Sequence, residues 1–238
     1  RDVKVGAHVA ISPLAVPRFL QRYSAVYGSL GKTESILAAA AAHHRLLWIH
    51  PFVDGNGRVA RLLSHATLRE ALDTGSLWSV ARGLARGADT YKEHLARCDL
   101  TRRNDLDGRG SLSEESLAEF TRYFLAICID QVSFMESLMR PRDLRTRIMT
   151  WVGEEVRLSR LPPRSERILD AILHRDEVPR AETAAIVDAS ERSARRVVAA
   201  LTHIGAITSA STRAPLRLAF PASLANRWMP GLFPENRA

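Results

Sequence analysis

Apolar and polar positions alternate at the start of the chain, in "RDVKVGAHVAIS", where valines are separated by polar or small residues. A two-residue period predicts a short strand or hairpin. The period then becomes helical. "SPLAVPRFLQRYSAVYG" has apolar residues three and four apart, Ser12 placed to cap, Pro13 and Pro17 early, and Gly28 as a stop. "TESILAAAAAHHRLLWIH" is an alanine-rich helix former that Pro51 ends sharply. A further helix is predicted from near Gly57 through "RVARLLSHATLREAL", and two shorter ones around "WSVARGLA" and "TYKEHLARC". "RRNDLDGRG" reads as an Asp- and Gly-rich turn, and "SEESLAEFTRYFLAICIDQVSFMESLM" as one long helix capped by Ser113.

Pro141 marks a change. "RDLRTRIMTWVGEEVRLSR" is a charged amphipathic helix expected to connect two domains over residues 141–161. Pro162 and Pro163 stop it, and Ser165 starts the next helix. "SERILDAILH", "RAETAAIVD" and "SERSARRVVAALTHIGA" are three short helices, the third capped by Ser190. Its Ala194, Val197, Val198 and Leu201 are spaced to face a core, which leaves Arg192, Ser193, Arg195 and Arg196 outside. "AITSASTRAPLRLAFP" reads as a two-stranded wing with Arg213 near its tip. The fold class expected is therefore mainly α: a helical domain with a short β-hairpin over residues 1–140, and a small winged-helix-like domain over 162–238. Such a module can bind DNA through Arg192, Ser193, Arg195, Arg196 and Arg213. It can equally serve dimerisation or docking, and its charge is only mildly positive where a phosphate-binding surface usually carries more.

Composition adds limits. With 46% hydrophobic and 25% charged residues, the 238-residue chain is ordinary globular material with room for two domains. A net charge of +8 favours polyanionic partners. The basic residues are arginine except Lys4, Lys32 and Lys92, and arginine suits bidentate phosphate contacts. Cys98 and Cys128 lie in helical surroundings and suggest reduced, buried thiols. No apolar run approaches spanning length, so no membrane partner and a cytoplasmic location are expected.

The chemistry concentrates in "HPFVDGNGRVAR", residues 50–61. Pro51 sets His50 at the edge of a helix, where an imidazole can take a proton from a hydroxyl. Asp54-Gly55-Asn56-Gly57 is a turn in which both glycines can take positive φ, so that successive N–H groups make an anion nest. The helix behind it adds its positive end. Arg58 and Arg61 share a face and can grip further phosphates. Asp54, an acid beside an anion site, calls for a cation such as Mg²⁺ between it and phosphate oxygens. These parts describe transfer from a nucleoside triphosphate.

The run resembles the signature of the Fic family, His-Pro-Phe-x-(Asp/Glu)-Gly-Asn-Gly-Arg-x-x-Arg, at every fixed position. The similarity is read from about residue 1 to about 140, through "VGAH", "AHHRLLWIHPF", "LWSVARGLA" and "NDLDGRGSLSEE". The resemblance implies a mostly helical enzyme that transfers AMP from ATP to a Ser, Thr or Tyr hydroxyl of a target protein and of itself, releasing pyrophosphate. It implies His50 as general base, Phe52 packed into the core, and Asp54 as the Mg²⁺ ligand. Gly55, Asn56 and Gly57 would cradle phosphates, Asn56 also through its side chain. Arg58 would contact the β-phosphate and Arg61 the γ-phosphate. "VKVGAHVAI" looks like the family's flap, which would hold the target by strand addition. Val5, Gly6, Ala7 and His8 would then line the ATP pocket. Tyr91 resembles an aromatic that meets adenine, although Lys92 stands where the family often has a second aromatic.

Other readings remain open at this stage. They include a nucleotide-sensing, DNA-binding regulator, another nucleotide donor, removal of AMP from a modified protein, and a homodimer. The intact His50 favours the enzyme, because a sensor needs the cradle but no base. The family's inhibitory motif, Ser/Thr-x-x-x-Glu-(Gly/Asn), fits neither "SLSEES" nor "TWVGEE". The chain opens on Arg1 rather than methionine, and such a helix is expected upstream of it. "RRNDLDGRGSLSEE" imitates a calcium loop, but Arg103 falls on the first ligand position, so a turn before a capped helix is the expectation.

Overall fold

The computed structural model describes residues 4–5, 8–72 and 78–233. It divides into two compact units, Arg1–Met135 and Glu136–Ala238. The first opens on β1 (Lys4–Val5) and β2 (His8–Val9), an antiparallel pair with Lys4 opposite Val9 and Val5 opposite His8. Helix α1 (Val16–Tyr27) begins later than its sequence suggests. Pro13 opens a separate turn, closed by Ala15 N–H to the Ser12 carbonyl at 2.8 Å, and the helix proper starts behind it with Pro17 in its first turn. Gly28 ends it, donating to the Ser24 carbonyl.

Helices α2 (Lys32–Ile49) and α3 (Asn56–Leu72) form the central pair. Ala39 and Ala40 on the first and Ala60 and Ser64 on the second are buried, and such small side chains let two helix backbones approach closely. Then come α4 (Val80–Arg86), α5 (Ala88–Cys98) and α6 (Glu114–Met139). Leu84, Tyr91, Cys98, Phe120 and Phe124 fill the core between them. Both cysteines are buried free thiols, and burial pushes each up to about 12. Gly83 lets α4 and α6 meet: a Cβ there would stand 2.4 Å from Ile127 Cγ2. Gly83→Ala is expected to cost roughly 1–3 kcal/mol, read as a lower urea midpoint at unchanged slope.

The turn before α6 is built around Asp107. Its Oδ1 accepts from Glu115 N–H at 2.9 Å and Ser113 Oγ–H at 3.0 Å, and its Oδ2 from Arg103 N–H at 3.0 Å. The backbone donors of Glu115 and Arg103 hold this carboxyl below its usual range. Ser113 Oγ caps the helix by accepting Ser116 N–H at 3.1 Å, and Gly108 supplies the positive φ of 88°. The carboxylate is thus occupied in closing a capped turn.

In the second unit the helix expected to connect two domains, α7 (Pro141–Arg157), is an integral part of the packing. Leu144, Ile148, Trp151 and Val152 are buried, and Trp151 meets Trp228 edge to face at 5.3 Å. An isolated connector would have nothing against which to bury that stripe. Helix α8 (Ser165–Arg175), β3 (Glu177–Val178), α9 (Thr183–Val187), α10 (Glu191–His203), β4 (Ile207–Thr208), β5 (Leu216–Leu218) and α11 (Ala225–Trp228) follow. The three strands form an antiparallel sheet in the order β3-β5-β4. Ser190 caps α10 through Ser193 N–H at 3.3 Å. Ala194, Val197, Val198 and Leu201 are buried, while Arg192, Ser193, Arg195 and Arg196 are exposed. Arg213 lies exposed in the β4–β5 connection.

Candidate active site

His50 is the C-cap of α2, with φ 52° and ψ 57°. Pro51 disfavours right-handed helix at the residue before it, and His50 leaves the helix in a left-handed conformation costing about 1–2 kcal/mol for a residue with a Cβ. Its Nδ1 lies 3.2 Å from the Leu47 carbonyl oxygen. A carbonyl only accepts, so Nδ1 carries the proton and Nε2 keeps its lone pair. The half-buried ring opens on a cavity of about 480 Å³ lined by His8, His44, Lys92, Leu95 and Asp99 among others.

Only one of the two loop glycines takes positive φ. Gly55 has φ 87°, whereas Gly57 already belongs to the first turn of α3. The nest expected from two left-handed glycines is therefore one glycine followed directly by a helix N-terminus. The first helical bond is Val59 N–H to the Gly55 carbonyl at 3.0 Å, which leaves the Asn56, Gly57 and Arg58 N–H groups ahead of it as donors. A Cβ on Gly55 would meet Arg58 Nη2 at 3.4 Å, and one on Gly57 would meet Arg61 Nη1 at 3.2 Å. Both guanidiniums therefore fold back over the glycines. Arg58 also donates to Asp54 Oδ2 at 3.0 Å, and Asp54 is exposed.

Two roles implied by resemblance exchange places. Phe52, expected in the core, is 48% exposed. The loop is fastened instead by Asn56, 3% exposed, whose Oδ1 accepts from Phe52 N–H at 3.0 Å while its Nδ2 donates to the Phe52 carbonyl at 2.7 Å. Its Oδ1 and one Nδ2 hydrogen are thus engaged by Phe52, which makes loop fastening the role the structure shows for this side chain. Asn56→Ala strands two backbone groups and is expected to cost about 1–3 kcal/mol. Thermal unfolding checks this, with Asn56→Asp recovering the Oδ1 bond.

Strand β2 lies at the same place. The His8 ring centroid is 6.1 Å from that of His50, at 42° between planes. Val5 pairs with His8 through the backbone, and Gly6 and Ala7 lie outside the described residues. Tyr91 does not join them on an open face. It is 8% exposed, with its hydroxyl 2.6 Å from His43 Nε2, so the packing role describes it and an adenine platform does not. Ser64 Oγ–H donates to the Ala60 carbonyl at 2.9 Å and must accept from His43 Nδ1–H at 2.8 Å. The remaining His43 nitrogen then accepts the Tyr91 proton, which requires a neutral ring. Burial pushes His43 down to about 4 and Tyr91 up to about 12, the Tyr91 shift opposed by the nearby Arg61 guanidinium.

A left-handed histidine, a Gly55 nest at a helix start and two folded-back arginines thus come from one twelve-residue run. Residues 1–68 match the Fic/DOC family. The Fic/DOC match ends well short of residue 140, so the longer likeness read from sequence is supported only over its first half. Similar proteins include "Protein adenylyltransferase Fic" of Drosophila erecta, 38% identical over 72 residues, and that of Drosophila virilis, 41% identical over 72 residues. The aligned stretch is 29% of this chain and 14% and 15% of those relatives, so the match spans about one-seventh of their length.

Sequence reasoning missed three participants beside this loop: His43, His44 and Asp99. The adjacent histidines in "AAAAAHHRLL" were the available signal, since a polar pair on an alanine-rich helix needs partners once buried. No helix among the described residues is long and apolar enough to cross a membrane.

Proposed function

We infer that the first unit is a protein adenylyltransferase, moving AMP from ATP to a protein hydroxyl, its own included. The observation that supports this best is the state of His50: Nδ1 bonded to Leu47, Nε2 with no hydrogen bond to the described residues and so able to accept, beside the N–H groups that open α3. The acceptor oxygen would attack the α-phosphorus and give its proton to Nε2. The bond from the α-phosphorus to the bridging oxygen breaks, and pyrophosphate leaves. The N–H groups of Gly57 and Arg58 and the guanidiniums of Arg58 and Arg61 would hold the phosphates, so positioning and charge neutralisation carry the acceleration. Mg²⁺ is commonly held by one or two carboxylates and substrate phosphates, and exposed Asp54, a single carboxylate at the loop, fits that donor set. When bound, it would neutralise charge between phosphates. Among the described residues no cluster of three or more His, Cys, Asp or Glu side chains could hold a metal without such a ligand. Strand β2 offers its edge to a target segment. Intact-mass measurement after incubation with ATP and Mg²⁺ tests the reading. A gain of one AMP is expected; a gain of one phosphoryl group, or none, overturns it.

A second reading concerns the other unit. Its order of helix, strand, two helices and hairpin, with β3 closing on β5, supports a winged helix. The open side of α10 carries Arg192, Ser193 and Arg196, while Arg195 is paired with Glu191. With Arg213 in the hairpin connection they fit a duplex-DNA contact. Binding of duplex DNA that weakens steeply with salt, and is lost in Arg192→Ala/Arg196→Ala, is the expected result; salt-independent or absent binding overturns it.

A further inference from the structure

Asp99 stands at the end of α5, far in sequence from the loop chemistry, yet it touches both walls beside His50. Its Oδ1 accepts from His44 Nε2–H at 2.9 Å, and its Oδ2 lies 3.1 Å from His8 Nδ1. His44 is anchored in α2 and buried, with Nδ1 turned toward the Arg45 guanidinium at 3.5 Å. A donor there leaves Nδ1 as acceptor and Nε2 as the proton carrier, so His44 is neutral and gives its proton to Asp99. Burial lowers the His44 pKa in agreement with that state.

His8 differs. Its Nε2 donates to the Trp48 carbonyl at 3.0 Å. A neutral ring has a single N–H, so with Nε2 protonated its Nδ1 would present a lone pair to the Asp99 carboxylate. The 3.1 Å approach of Nδ1 to Asp99 Oδ2 is an ion pair when Nδ1 carries a proton. The groups facing His8 are Asp99 and, across the shared cavity, Lys92 from α5, and His44, the Trp48 carbonyl and His50 from α2 and its cap. Of these, Asp99 alone is an anion. It joins the strand that carries His8 to the helix that carries His50.

We propose that Asp99 is a positioning residue that clamps strand β2 over His50 by accepting from His44 on one oxygen and pairing with His8 on the other. The clamp fixes the strand edge at which, on the proposed function, the acceptor segment would lie. The partners of Asp99 are His44 and His8 rather than the N–H groups and guanidiniums of the 54–61 loop, so its loss is expected to slow the chemical step more than it weakens ATP binding.

Asp99→Leu and Asp99→Asn test this against Asp89→Asn, an exposed carboxylate in the first turn of the same helix. In Asp99→Leu, hydrogen exchange at His8 and Val9 should rise about 10-fold or more, with α2 and α3 unchanged. AMP transfer from α-labelled ATP should lose about 10-fold in kcat, with KM for ATP within about 2-fold. Asp99→Asn keeps one acceptor oxygen and should fall between Asp99→Leu and wild type, and Asp89→Asn should match wild type. Unchanged exchange at β2, an equal rise through α2 and α3, or unchanged kcat despite faster exchange would overturn the clamp. Absence of transfer in the unmodified protein would instead sink the proposed function, and the exchange measurement would still decide the role of Asp99.

Discussion

His50→Ala is expected to reduce AMP transfer by about 10²–10⁴-fold, with ATP binding close to that of the unmodified protein. The expectation follows from where the ring sits. On the proposed function the phosphates are held by Gly57, Arg58 and Arg61, which are expected to keep their places when the imidazole is removed, because Asn56 fastens the loop independently through Phe52. Only proton acceptance is lost. The left-handed backbone of His50 allows a control that separates chemistry from folding. His50→Gly also lacks the base but relieves the cost of a Cβ at φ 52°, so it should be more stable than His50→Ala by about 1 kcal/mol. Two equally inactive variants in that order of stability, read by urea unfolding, would tie the lost transfer to the imidazole. Transfer surviving in either variant would show that the proton leaves by another route.

That loop was legible because its signals are local. Pro51 after His50, a glycine where φ is positive, and arginines three apart each act within a turn of their own position. The long α6 with its Ser113 cap and the buried stripe of α10 were legible for the same reason. What escaped depends on burial or on distant partners. Nothing near Asn56 says that its amide will be consumed by Phe52, because burial decides between a phosphate ligand and a loop fastener. His43 finds Tyr91 48 positions away and His44 finds Asp99 55 positions away, pairings that no periodicity records. The helix expected to connect two domains is another such case. An amphipathic stripe shows that a helix has a buried face, but not which neighbour buries it, and for α7 the neighbour is Trp228 near the far end of the chain.

Acid should weaken the first unit through His43. Its ring is buried and neutral, giving Nδ1–H to Ser64 and taking the Tyr91 proton on Nε2, and burial holds its pKa at about 4 against 6.5 when unfolded. Between those values the unfolded chain binds a proton that the folded ring refuses, so stability rises with pH there. The contribution is complete above about pH 6.5 and is lost as pH falls toward about 4, a range worth about 3 kcal/mol. His44, whose pKa is lowered by the same cause, adds in the same direction. Protonation at Nε2 would also oblige Tyr91 to reverse its hydrogen bond, and the Arg61 guanidinium beside the phenol opposes a second cation in the cluster. Urea unfolding at about pH 7 and about pH 4.5, on the unmodified chain and on His43→Gln, isolates the effect. Glutamine keeps a donor and an acceptor but does not titrate, so its stability should fall by about 2–3 kcal/mol less across that interval. An equal fall in both proteins would mean that His43 takes up its proton over the same pH range folded and unfolded, so that burial does not keep the ring neutral, and the Tyr91 hydroxyl would then have to accept from Nε2–H as the pH falls.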